Sequence, residues 1–364
     1  MRVLLSGGGT GGHIYPALAL QKELKNKYPD AEFLYVGTKK GLEAELIPKT
    51  GIPFETVDIQ GLRRSISLDN VKTVWLMLSA VRRAKQLIKD FKPDVVVGTG
   101  GYVCAPVLYA ASRLNVPTII HEQNSVAGIS NKFLSRYVDK IAIAFERVRK
   151  DFAKYPEKIV VTGNPRAQEV ANISEKADLT AYGLKNGRPT VLIFGGSRGA
   201  LKINEALAAI IPQLEQRDYQ VLVASGAVYY EEFAQKFADF NQWDNIKVQA
   251  YIDNMPELFN TIDLVVCRSG ATTLTELTAL GTPSILIPSP NVTENHQEYN
   301  ARSLVEVDGA EMLLEAELTP DRLLQAIDQL MGDDDRRRIM SQNAQSVGYP
   351  NATDLLIAAI ESII

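Results

Sequence analysis

Cysteine is scarce in this sequence, which has only Cys104 and Cys267 among its 364 residues. Both lie in apolar stretches typical of buried strands or helices, so we expect reduced, buried thiols. This excludes a disulfide framework and favours a reducing compartment. A chain of this length buries a large core without such cross-links.

Long apolar runs are also missing. The densest run, residues 74–81, has eight residues, whereas a helix that crosses a bilayer needs about 18 or more. Glycines begin at position 7, so the apolar start of the chain is too short for a signal peptide. We therefore expect a cytoplasmic protein without a transmembrane helix.

Neither sign of charge is in excess. The chain has 39 Lys and Arg and 43 Asp and Glu, a net charge of −4. The overall charge therefore gives no indication of nucleic-acid binding, and any basic patch is local. Hydrophobic residues at 46% and charged residues at 23% exclude disordered, collagen-like and fibrous proteins. At about 150 residues per domain, the length predicts two or three domains.

Short apolar segments alternate with segments of helical periodicity. This pattern predicts an α/β fold in which helices cover both faces of a parallel sheet. A loop rich in Gly, Ser, Asn or His follows each apolar segment, and ligands bind at such loops in open α/β sheets. The predicted strands cover residues 3–5, 32–36, 95–97, 118–120, 140–144, 190–194, 220–224, 247–250, 264–267 and 284–287.

A weak internal repeat relates the two halves of the chain. Residues 93–101 read Pro-Asp-Val-Val-Val-Gly-Thr-Gly-Gly and lead through a helix to Pro117 and a strand. Residues 262–270 read Ile-Asp-Leu-Val-Val-Cys-Arg-Ser-Gly and lead in the same way to Pro283. The recurrence of strand, glycine turn, helix and strand predicts two Rossmann-like domains.

The predicted domain boundary lies at a hinge in residues 161–165, where Gly and Asn-Pro interrupt regular structure. The N-terminal domain is expected to cover residues 1–164 and the C-terminal domain residues 165–346. The final helical segment, residues 347–364, is expected to pack back on the first domain.

The first glycine-rich loop, residues 7–13, reads Gly-Gly-Gly-Thr-Gly-Gly-His and opens a helix. Glycines let backbone N–H groups approach a phosphate or a sugar, and the helix N-terminus adds a partial positive charge. A dinucleotide site needs an acidic residue after the second strand, but residues 37–40 read Gly-Thr-Lys-Lys, so NAD is disfavoured. The alternative is a tight turn that binds no ligand.

Three loops of the second half also predict ligand contacts. Residues 194–200, Phe-Gly-Gly-Ser-Arg-Gly-Ala, can bind phosphate through N–H groups and the Ser197 hydroxyl. Residues 268–276 place three hydroxyls at a helix start and Glu276 further along, which suits a diphosphate and a ribose diol. Residues 290–297 are polar and can bind sugar hydroxyls. The alternatives are a bare turn and a capped helix with a solvated glutamate.

Six short motifs occur in order over nearly the whole chain. The sequence carrying them resembles the MurG family, the UDP-N-acetylglucosamine:undecaprenyl-pyrophosphoryl-MurNAc-pentapeptide N-acetylglucosaminyltransferases. The motifs are Gly-Gly-Thr-Gly-Gly-His at 8–13, Gly-Gly-Tyr at 100–102, His-Glu-Gln-Asn at 121–124, Gly-Asn-Pro-Arg at 163–166, Gly-Gly-Ser at 195–197 and Ser-Gly-Ala-x-Thr-x-x-Glu at 269–276.

The resemblance implies a GT-B fold, in which two Rossmann-like parallel-sheet domains face each other across a cleft. It implies an inverting hexosyltransferase that moves GlcNAc from UDP-GlcNAc to the MurNAc 4-hydroxyl of the lipid-linked acceptor, with a β1,4 linkage, in peptidoglycan synthesis. It also implies a peripheral protein on the cytoplasmic face of the cell membrane, working beside the wall-synthesis and division machinery.

The same resemblance assigns the donor to the C-terminal domain. Glu276 would bind the ribose diol, Ile252 the uracil edge through its backbone, and Gln297 the GlcNAc hydroxyls. Arg198 and His296 stand where many relatives carry Gln. The remaining implied substrate contacts are Arg166 beside the uridine or diphosphate, Ser197, Ala271, Thr272 and Thr273 around the diphosphate, Thr10, Gly11, Gly12 and Asn124 at the sugar, and Tyr102.

Inverting transfer needs a group that accepts the proton of the attacking hydroxyl. His13 is the first candidate, because the positive end of a helix dipole disfavours the imidazolium form. Glu122 is the competing base, and a structural role in its loop is the alternative for His13. His121 is expected to hold its own loop in place.

The charge of the departing diphosphate must also be neutralised. Many transferases use a metal ion held by Asp-x-Asp, and here 333–335 is the literal instance. Three arginines follow it in a polar turn, so it is interpreted as a helix cap. We therefore predict transfer without a metal or cofactor, with helix N-termini and Arg166 in place of the ion.

Basic and apolar residues are concentrated in residues 71–89, a segment with five Lys or Arg and no acidic residue, preceded by Arg63 and Arg64. A basic, apolar helix suits an anionic lipid surface. An ordinary crossover helix with a solvated basic side is the alternative. The polyprenyl acceptor implied by the resemblance favours docking on an anionic membrane surface.

Three other functions compete with this interpretation. A non-hydrolysing UDP-GlcNAc 2-epimerase shares the architecture and the donor, but needs no lipid-facing surface. An NAD(P)-dependent oxidoreductase shares the glycine-rich loop. A non-catalytic protein that binds nucleotide sugars would keep the donor loops and lack a base.

Overall fold

The computed structural model describes residues 1–60, 68–196, 199–236 and 243–364, apart from the side chains of 68–74, 234 and 236. The described chain forms two compact units. Unit 1 comprises Met1–Gln168 and Asn351–Ile364, and unit 2 comprises Glu169–Pro350. These divisions lie a few residues further along the chain than the predicted domain limits.

Strands and helices alternate along both units. The strands are β1 (Arg2–Ser6), β2 (Glu32–Gly37), β3 (Phe54–Thr56), β4 (Val95–Gly98), β5 (Thr118–Glu122), β6 (Lys140–Ile143), β7 (Ile159–Val161), β8 (Thr190–Phe194), β9 (Gln220–Ala224), β10 (Ile246–Gln249), β11 (Leu264–Cys267), β12 (Ser284–Leu286) and β13 (Glu311–Met312). The α-helices are α1 (Gly11–Lys27), α2 (Glu43–Lys49), α3 (Leu68–Phe91), α4 (Cys104–Ser112), α5 (Ile129–Leu134), α6 (Arg166–Ala171), α7 (Leu201–Leu214), α8 (Ala227–Lys236), α9 (Met255–Phe259), α10 (Ala271–Leu280), α11 (His296–Val305), α12 (Pro320–Met331), α13 (Asp334–Ser346) and α14 (Ala352–Glu361). Short 3₁₀ helices cover Glu146–Phe152, Pro156–Lys158, Leu179–Tyr182, Thr293–Asn295 and Glu315–Glu317.

Unit 1 contains a seven-stranded sheet in the order β3-β2-β1-β4-β5-β6-β7, and every strand pair is parallel. The central strands are buried on both faces, which explains their unbroken runs of Val, Leu and Ile. Helices α1, α2 and α14 cover one face, and α3, α4 and α5 cover the other.

Unit 2 contains a six-stranded sheet in the order β10-β9-β8-β11-β12-β13, again parallel throughout. Residues of α7 and α12 pack into its main core cluster with β8, β9 and β11. Within each sheet, the loops after the central strands emerge at the carboxyl edge of that sheet, which is where open α/β sheets bind ligands.

The internal repeat corresponds to equivalent positions in the two sheets. Before β4, the Asp94 carboxylate accepts a hydrogen bond from Arg2 N at 2.7 Å, which joins it to β1. Before β11, the Asp263 carboxylate accepts one from Thr190 N of β8 at the same distance. The repeated aspartates therefore join the two central strands of each sheet at their amino ends.

The predicted fold class, α/β with two parallel sheets, is confirmed, and all ten predicted strands are present to within two residues at either end. The strands missed are β3, β7 and β13, which lie at sheet edges. Each has two or three residues. A segment that short carries too little periodicity to stand out in the sequence.

Candidate active site

The loop between β1 and α1 brings the first glycine cluster to the carboxyl edge of the unit 1 sheet. Helix α1 begins at Gly11, with the extended residue Thr10 as its N-cap and no side-chain capping bond. Thr10 is exposed, and Gly11, Gly12 and His13 are partly exposed. The first amides of a helix lack intrahelical acceptors, so this end of α1 is suited to bind an oxygen-rich ligand.

A second glycine pair, Gly100 and Gly101, lies directly against this loop. Both have positive φ angles, +111° and +87°. A Cβ on Gly100 would lie 2.5 Å from His13 Nδ1, and one on Gly101 would lie 2.4 Å from the carbonyl oxygen of Gly8. Glycine is therefore required here twice over, by backbone conformation and by the close approach of the His13 loop.

A buried carboxylate anchors the same loop from α2. Glu43 is fully buried and accepts hydrogen bonds from Gly9 N at 2.8 Å, Thr38 N at 3.0 Å and Thr38 Oγ1 at 2.7 Å. Glu43 was not among the site residues predicted from the sequence. The signal available there was weak, namely an acidic residue five positions after a threonine in an otherwise basic loop.

The His13 ring contacts two oxygen atoms through one nitrogen. Nδ1 lies 3.1 Å from the carbonyl oxygen of Thr99 and 3.2 Å from Gln123 Oε1. A carbonyl oxygen only accepts hydrogen bonds, so Nδ1 carries the proton and Nε2 carries the lone pair. In this form the ring can act as a base through Nε2.

Glu122, the competing base, is 2% exposed. Its carboxylate accepts hydrogen bonds from Gly128 N at 2.9 Å, Asn131 Nδ2 at 2.8 Å and Asn124 N at 3.1 Å. These contacts hold together the loop from β5 to α5. A buried carboxylate occupied by several donors is better suited to fix that loop than to take a proton from a substrate.

His121 is fully buried at the end of β5. Its Nε2 lies 2.8 Å from the carbonyl oxygen of Gly163, and burial lowers the pKa of the ring to about 4. The ring therefore stays neutral and joins β5 to the segment after β7. The contact at Nε2 is thus with a neighbouring segment, and the role of His121 in holding its own loop stays a prediction.

Three more predicted site residues lie after strands of the same sheet. Tyr102 follows β4 and is 60% exposed, and Asn124 follows β5 and is partly exposed. Arg166 begins α6, and its guanidinium lies 5.8 Å from the ring centroid of Tyr15 on α1. In unit 1 the predicted site residues therefore lie where β1, β4, β5 and β7 end or in the segments that follow them: residues 10–13, Tyr102, Glu122, Asn124 and Arg166.

In unit 2, the residues predicted to bind a diphosphate lie at the start of the helix that follows β11. Helix α10 begins at Ala271, and its N-cap is Gly270, which has no side chain to cap it. The amides of Ala271, Thr272 and Thr273 are the first of the helix and lack intrahelical acceptors. Glu276 lies on the same helix and is 8% exposed.

The loop after β12 is tied to the start of α10. Ser269 Oγ donates to the carbonyl oxygen of Gln297 at 2.8 Å, and Gln297 Oε1 accepts from Ser289 N at 2.9 Å. Gln297 Nε2 is then the side-chain donor that can serve a ligand. Arg268 supports the same arrangement by pairing with Glu315 and donating to the carbonyl oxygen of Ile287 at 3.1 Å.

The remaining predicted donor contacts follow β8 and β10. Ile252 comes three residues after β10 and is 4% exposed. Gly199 has a φ of +74°, and a Cβ there would lie 2.2 Å from the carbonyl oxygen of Ser225. Ser197 and Arg198 lie outside the described residues.

The aspartates of residues 333–335 form a helix cap, as predicted. Asp333 is the N-cap of α13, and its side chain accepts from Arg336 N at 2.8 Å. Asp334 pairs with Arg337, and Asp335 pairs with Arg338. Within the described ranges, no group of three or more His, Cys, Asp or Glu is placed to hold a metal ion.

The two units match the two domain models of one glycosyltransferase family. The glycosyltransferase family 28 N-terminal domain matches residues 3–143, and the glycosyltransferase family 28 C-terminal domain matches residues 190–356. A UDP-N-acetylglucosamine--N-acetylmuramyl-(pentapeptide) pyrophosphoryl-undecaprenol N-acetylglucosamine transferase from Listeria welshimeri is 55% identical over 100% of this chain and 99% of its own length. The chain belongs to the MurG family.

Solved structures agree with that assignment. The crystal structure of Acinetobacter baumannii MurG matches with a TM-score of 0.79 and 31% identity, covering 99% of both chains. A UDP-N-acetylglucosamine 2-epimerase matches with a TM-score of 0.66 at 18% identity, covering 98% of this chain and 94% of the other, a likeness of fold alone. Two parallel-sheet α/β domains of the GT-B type are thus the architecture of this MurG-family chain.

Proposed function

We propose that this chain is an inverting N-acetylglucosaminyltransferase that moves GlcNAc from UDP-GlcNAc to the MurNAc 4-hydroxyl of undecaprenyl-pyrophosphoryl-MurNAc-pentapeptide. The observation that carries the proposal is the full-length identity of 55% to a transferase of that name. Each unit supports it separately, because each presents polar loops at the carboxyl ends of a parallel sheet, where α/β proteins bind ligands.

In this proposal unit 2 binds the donor. The first amides of α10, at Ala271, Thr272 and Thr273, donate to the diphosphate, and Glu276 accepts from the ribose hydroxyls. Gln297 donates to the GlcNAc hydroxyls, and Ile252 meets the uracil edge through its backbone. Ser197 completes the phosphate contacts of the glycine loop that precedes α7.

Unit 1 supplies the base. The MurNAc hydroxyl attacks the anomeric carbon of GlcNAc, its proton passes to His13 Nε2, and the bond from that carbon to UDP breaks with the electron pair leaving on the diphosphate. The contacts of His13 Nδ1 require a proton on that nitrogen. The lone pair is therefore on Nε2, which supports this role. The Glu122 carboxylate is buried and already accepts hydrogen bonds from Gly128 N and Asn131 Nδ2. This favours His13 rather than Glu122 as the base.

The charge of the departing diphosphate is met by fixed dipoles and Arg166 in this proposal, without a metal ion. Preorganised donors aimed at a developing charge are each worth about 3 kcal/mol of transition-state stabilisation. The N-terminus of α10 supports the proposal, because its first amides already point to the carboxyl edge of the sheet.

The membrane contact is proposed for helix α3. Its inner face carries the buried residues Ala80, Ala84 and Ile88, while Trp75 and Leu78 are 67% and 66% exposed. Exposed Arg82 and Arg83 follow on the next turn. Exposed apolar side chains beside cations suit insertion into an anionic lipid surface.

This surface would place the chain peripherally on the cytoplasmic face of the membrane, close to its lipid-linked acceptor and the wall-synthesis and division machinery. Among the helices of the described ranges, none is both long and apolar enough to cross a bilayer. Arg63, Arg64 and the side chain of Lys72 lie outside the described residues.

The activity is tested with purified protein, UDP-GlcNAc and a synthetic MurNAc-pentapeptide lipid pyrophosphate. We expect UDP release that depends on the acceptor and equals the yield of disaccharide product. Conversion of UDP-GlcNAc alone to UDP-ManNAc, with no disaccharide, would establish the epimerase instead.

Two variants test the assigned roles. His13→Ala is expected to lower kcat by about 100-fold or more, the usual contribution of a general base. Glu276→Ala is expected to raise the KM for UDP-GlcNAc by about 10- to 100-fold, the value of hydrogen bonds to a charged group. Glu205→Ala, an exposed carboxylate on α7, is the control and should change neither constant.

The membrane contact is tested by sedimentation with liposomes that contain anionic or only zwitterionic lipid. We expect binding to anionic liposomes that weakens as salt increases, and that falls further in a Trp75→Ser, Leu78→Ser variant. Absence of binding at every salt concentration would refute the proposed surface.

A further inference from the structure

A continuous line of hydrogen bonds lies behind the His13 ring. Gln123 Oε1 lies 3.2 Å from His13 Nδ1, Gln123 Nε2 lies 3.0 Å from His121 Nδ1, and His121 Nε2 lies 2.8 Å from the carbonyl oxygen of Gly163. Gln123 is 2% exposed and His121 is fully buried. Because buried polar groups must satisfy one another, the direction of each hydrogen bond constrains the next.

The hydrogen bond between His121 and Gly163 determines the donor and acceptor roles at that end of the line. The Gly163 carbonyl oxygen can only accept, so His121 carries its proton on Nε2. Burial lowers the pKa of His121 to about 4, so near neutral pH its Nδ1 has a lone pair and accepts. The Gln123 amide must therefore turn its NH₂ group towards His121.

The contacts of the Thr99 carbonyl oxygen determine the orientation of the Gln123 amide independently, and they give the same orientation. The Thr99 carbonyl oxygen lies 3.1 Å from His13 Nδ1 and 2.6 Å from Gln123 Nε2. Since it can only accept, His13 carries a proton on Nδ1, and Gln123 turns its NH₂ group towards Thr99. Both ends thus place Gln123 Oε1 as an acceptor for the His13 Nδ1 proton.

We propose that Gln123 is a positioning residue that, through His121 and Gly163, holds His13 in the Nδ1–H tautomer and so keeps the lone pair of Nε2 directed to the reaction. Its catalytic consequence rests on the proposed role of His13 as the base. When Nε2 takes the proton of the attacking hydroxyl, the ring becomes positively charged. Gln123 Oε1 and the Thr99 carbonyl oxygen then stabilise that charge through the Nδ1 proton.

The tautomers can be observed directly, because the chain has only His13, His121 and His296. We would label the histidine ring nitrogens with ¹⁵N and record long-range ¹H–¹⁵N correlation spectra of the full chain at pH 8, with His13→Gln and His296→Gln variants for assignment. The expected result is opposite tautomers, Nδ1–H for His13 and Nε2–H for His121. An Nε2–H tautomer at His13 would overturn the inference.

Two substitutions test the dependence on Gln123. Gln123→Met has a similar volume, removes one of the two acceptors of the His13 Nδ1 proton and leaves the other, the Thr99 carbonyl oxygen. The preference for Nδ1–H should weaken, so we expect an Nε2–H population beside the remaining Nδ1–H form and a kcat about tenfold lower, a part of the contribution of a general base. The KM values of both substrates should change by less than about twofold, since Gln123 does not reach them from behind the ring. A buried residue with a merely structural role would not alter the His13 tautomer.

Gln123→Glu keeps an acceptor beside His13 and adds a charge. A carboxylate favours the protonated ring, which is no base, so the acidic limb of the kcat profile should move to higher pH. The titratable groups on the surrounding loops, His121, Glu43 and Glu122, are unchanged in this variant. An acidic limb at the wild-type position in Gln123→Glu would count against the inference.

His13→Ala separates this inference from the proposed function. Full turnover by His13→Ala would refute the proposed base, and the catalytic consequence of Gln123 with it. An inactive His13→Ala together with wild-type kcat and a single His13 tautomer in Gln123→Met would overturn the inference alone. Circular dichroism and UDP binding to unit 2 verify that each variant is folded.

Discussion

Burial of the His121 imidazole should make the chain lose stability as the pH falls below neutral. The ring has a pKa of about 4 in the folded chain and about 6.5 when unfolded. Between these values the unfolded chain binds a proton that the folded chain does not, so the stabilisation is complete above pH 6.5 and is lost as the pH falls. From pH 7 to pH 5 the loss is about 2 kcal/mol, a large part of a typical free energy of unfolding of about 5–15 kcal/mol.

Urea unfolding at pH 7 and pH 5 measures this effect for the wild type, His121→Gln and His296→Gln. Glutamine at position 121 does not titrate, so the free energy of unfolding of His121→Gln should fall about 2 kcal/mol less between the two pH values than that of the wild type. His296 is only partly buried, and His296→Gln should follow the wild type. Equal pH dependence in His121→Gln and the wild type would refute the reasoning.

Three further predictions concern buried groups and the diphosphate. Glu43→Ala leaves Gly9 N of the first glycine loop and Thr38 N and Oγ1 of the loop after β2 without their acceptor, so urea unfolding should show a loss of about 3 kcal/mol or more, against less than about 0.5 kcal/mol for the exposed Glu45→Ala; equal losses would mean that other contacts hold these loops. Burial raises the pKa of the Cys104 thiol to about 12 and also raises that of Cys267, so a disulfide reagent at pH 8 should label neither thiol in the folded chain and both in denaturant, and rapid labelling of the folded chain would contradict this. Turnover should survive exhaustive chelation, and a loss of activity that a divalent cation restores would show that the diphosphate needs a metal.

Much of the fold could be predicted from the sequence because its determinants are local. A short apolar run followed by a loop that contains glycine predicts a buried parallel strand, as for β8 and β11. The Asp333 cap was also evident, because its partner lies three residues away in the chain. The short edge strands were missed because two or three residues carry no measurable period.

Some features of the candidate site could likewise be predicted from local sequence, whereas others depend on contacts between distant residues. The sequence alone determined that glycines and hydroxyls at 8–13 and 269–276 follow strands and open helices, since the residues of each motif are neighbours in the chain. Only the tertiary structure decided that Glu43 accepts from Gly9, 34 residues away, and that Gln123 lies against His13, 110 residues away. The order of strands in the sheet brings these side chains together. Burial then removes the water that would otherwise bind their polar atoms. Protein groups therefore fix the direction of each hydrogen bond, and these directions fix the tautomer of His13.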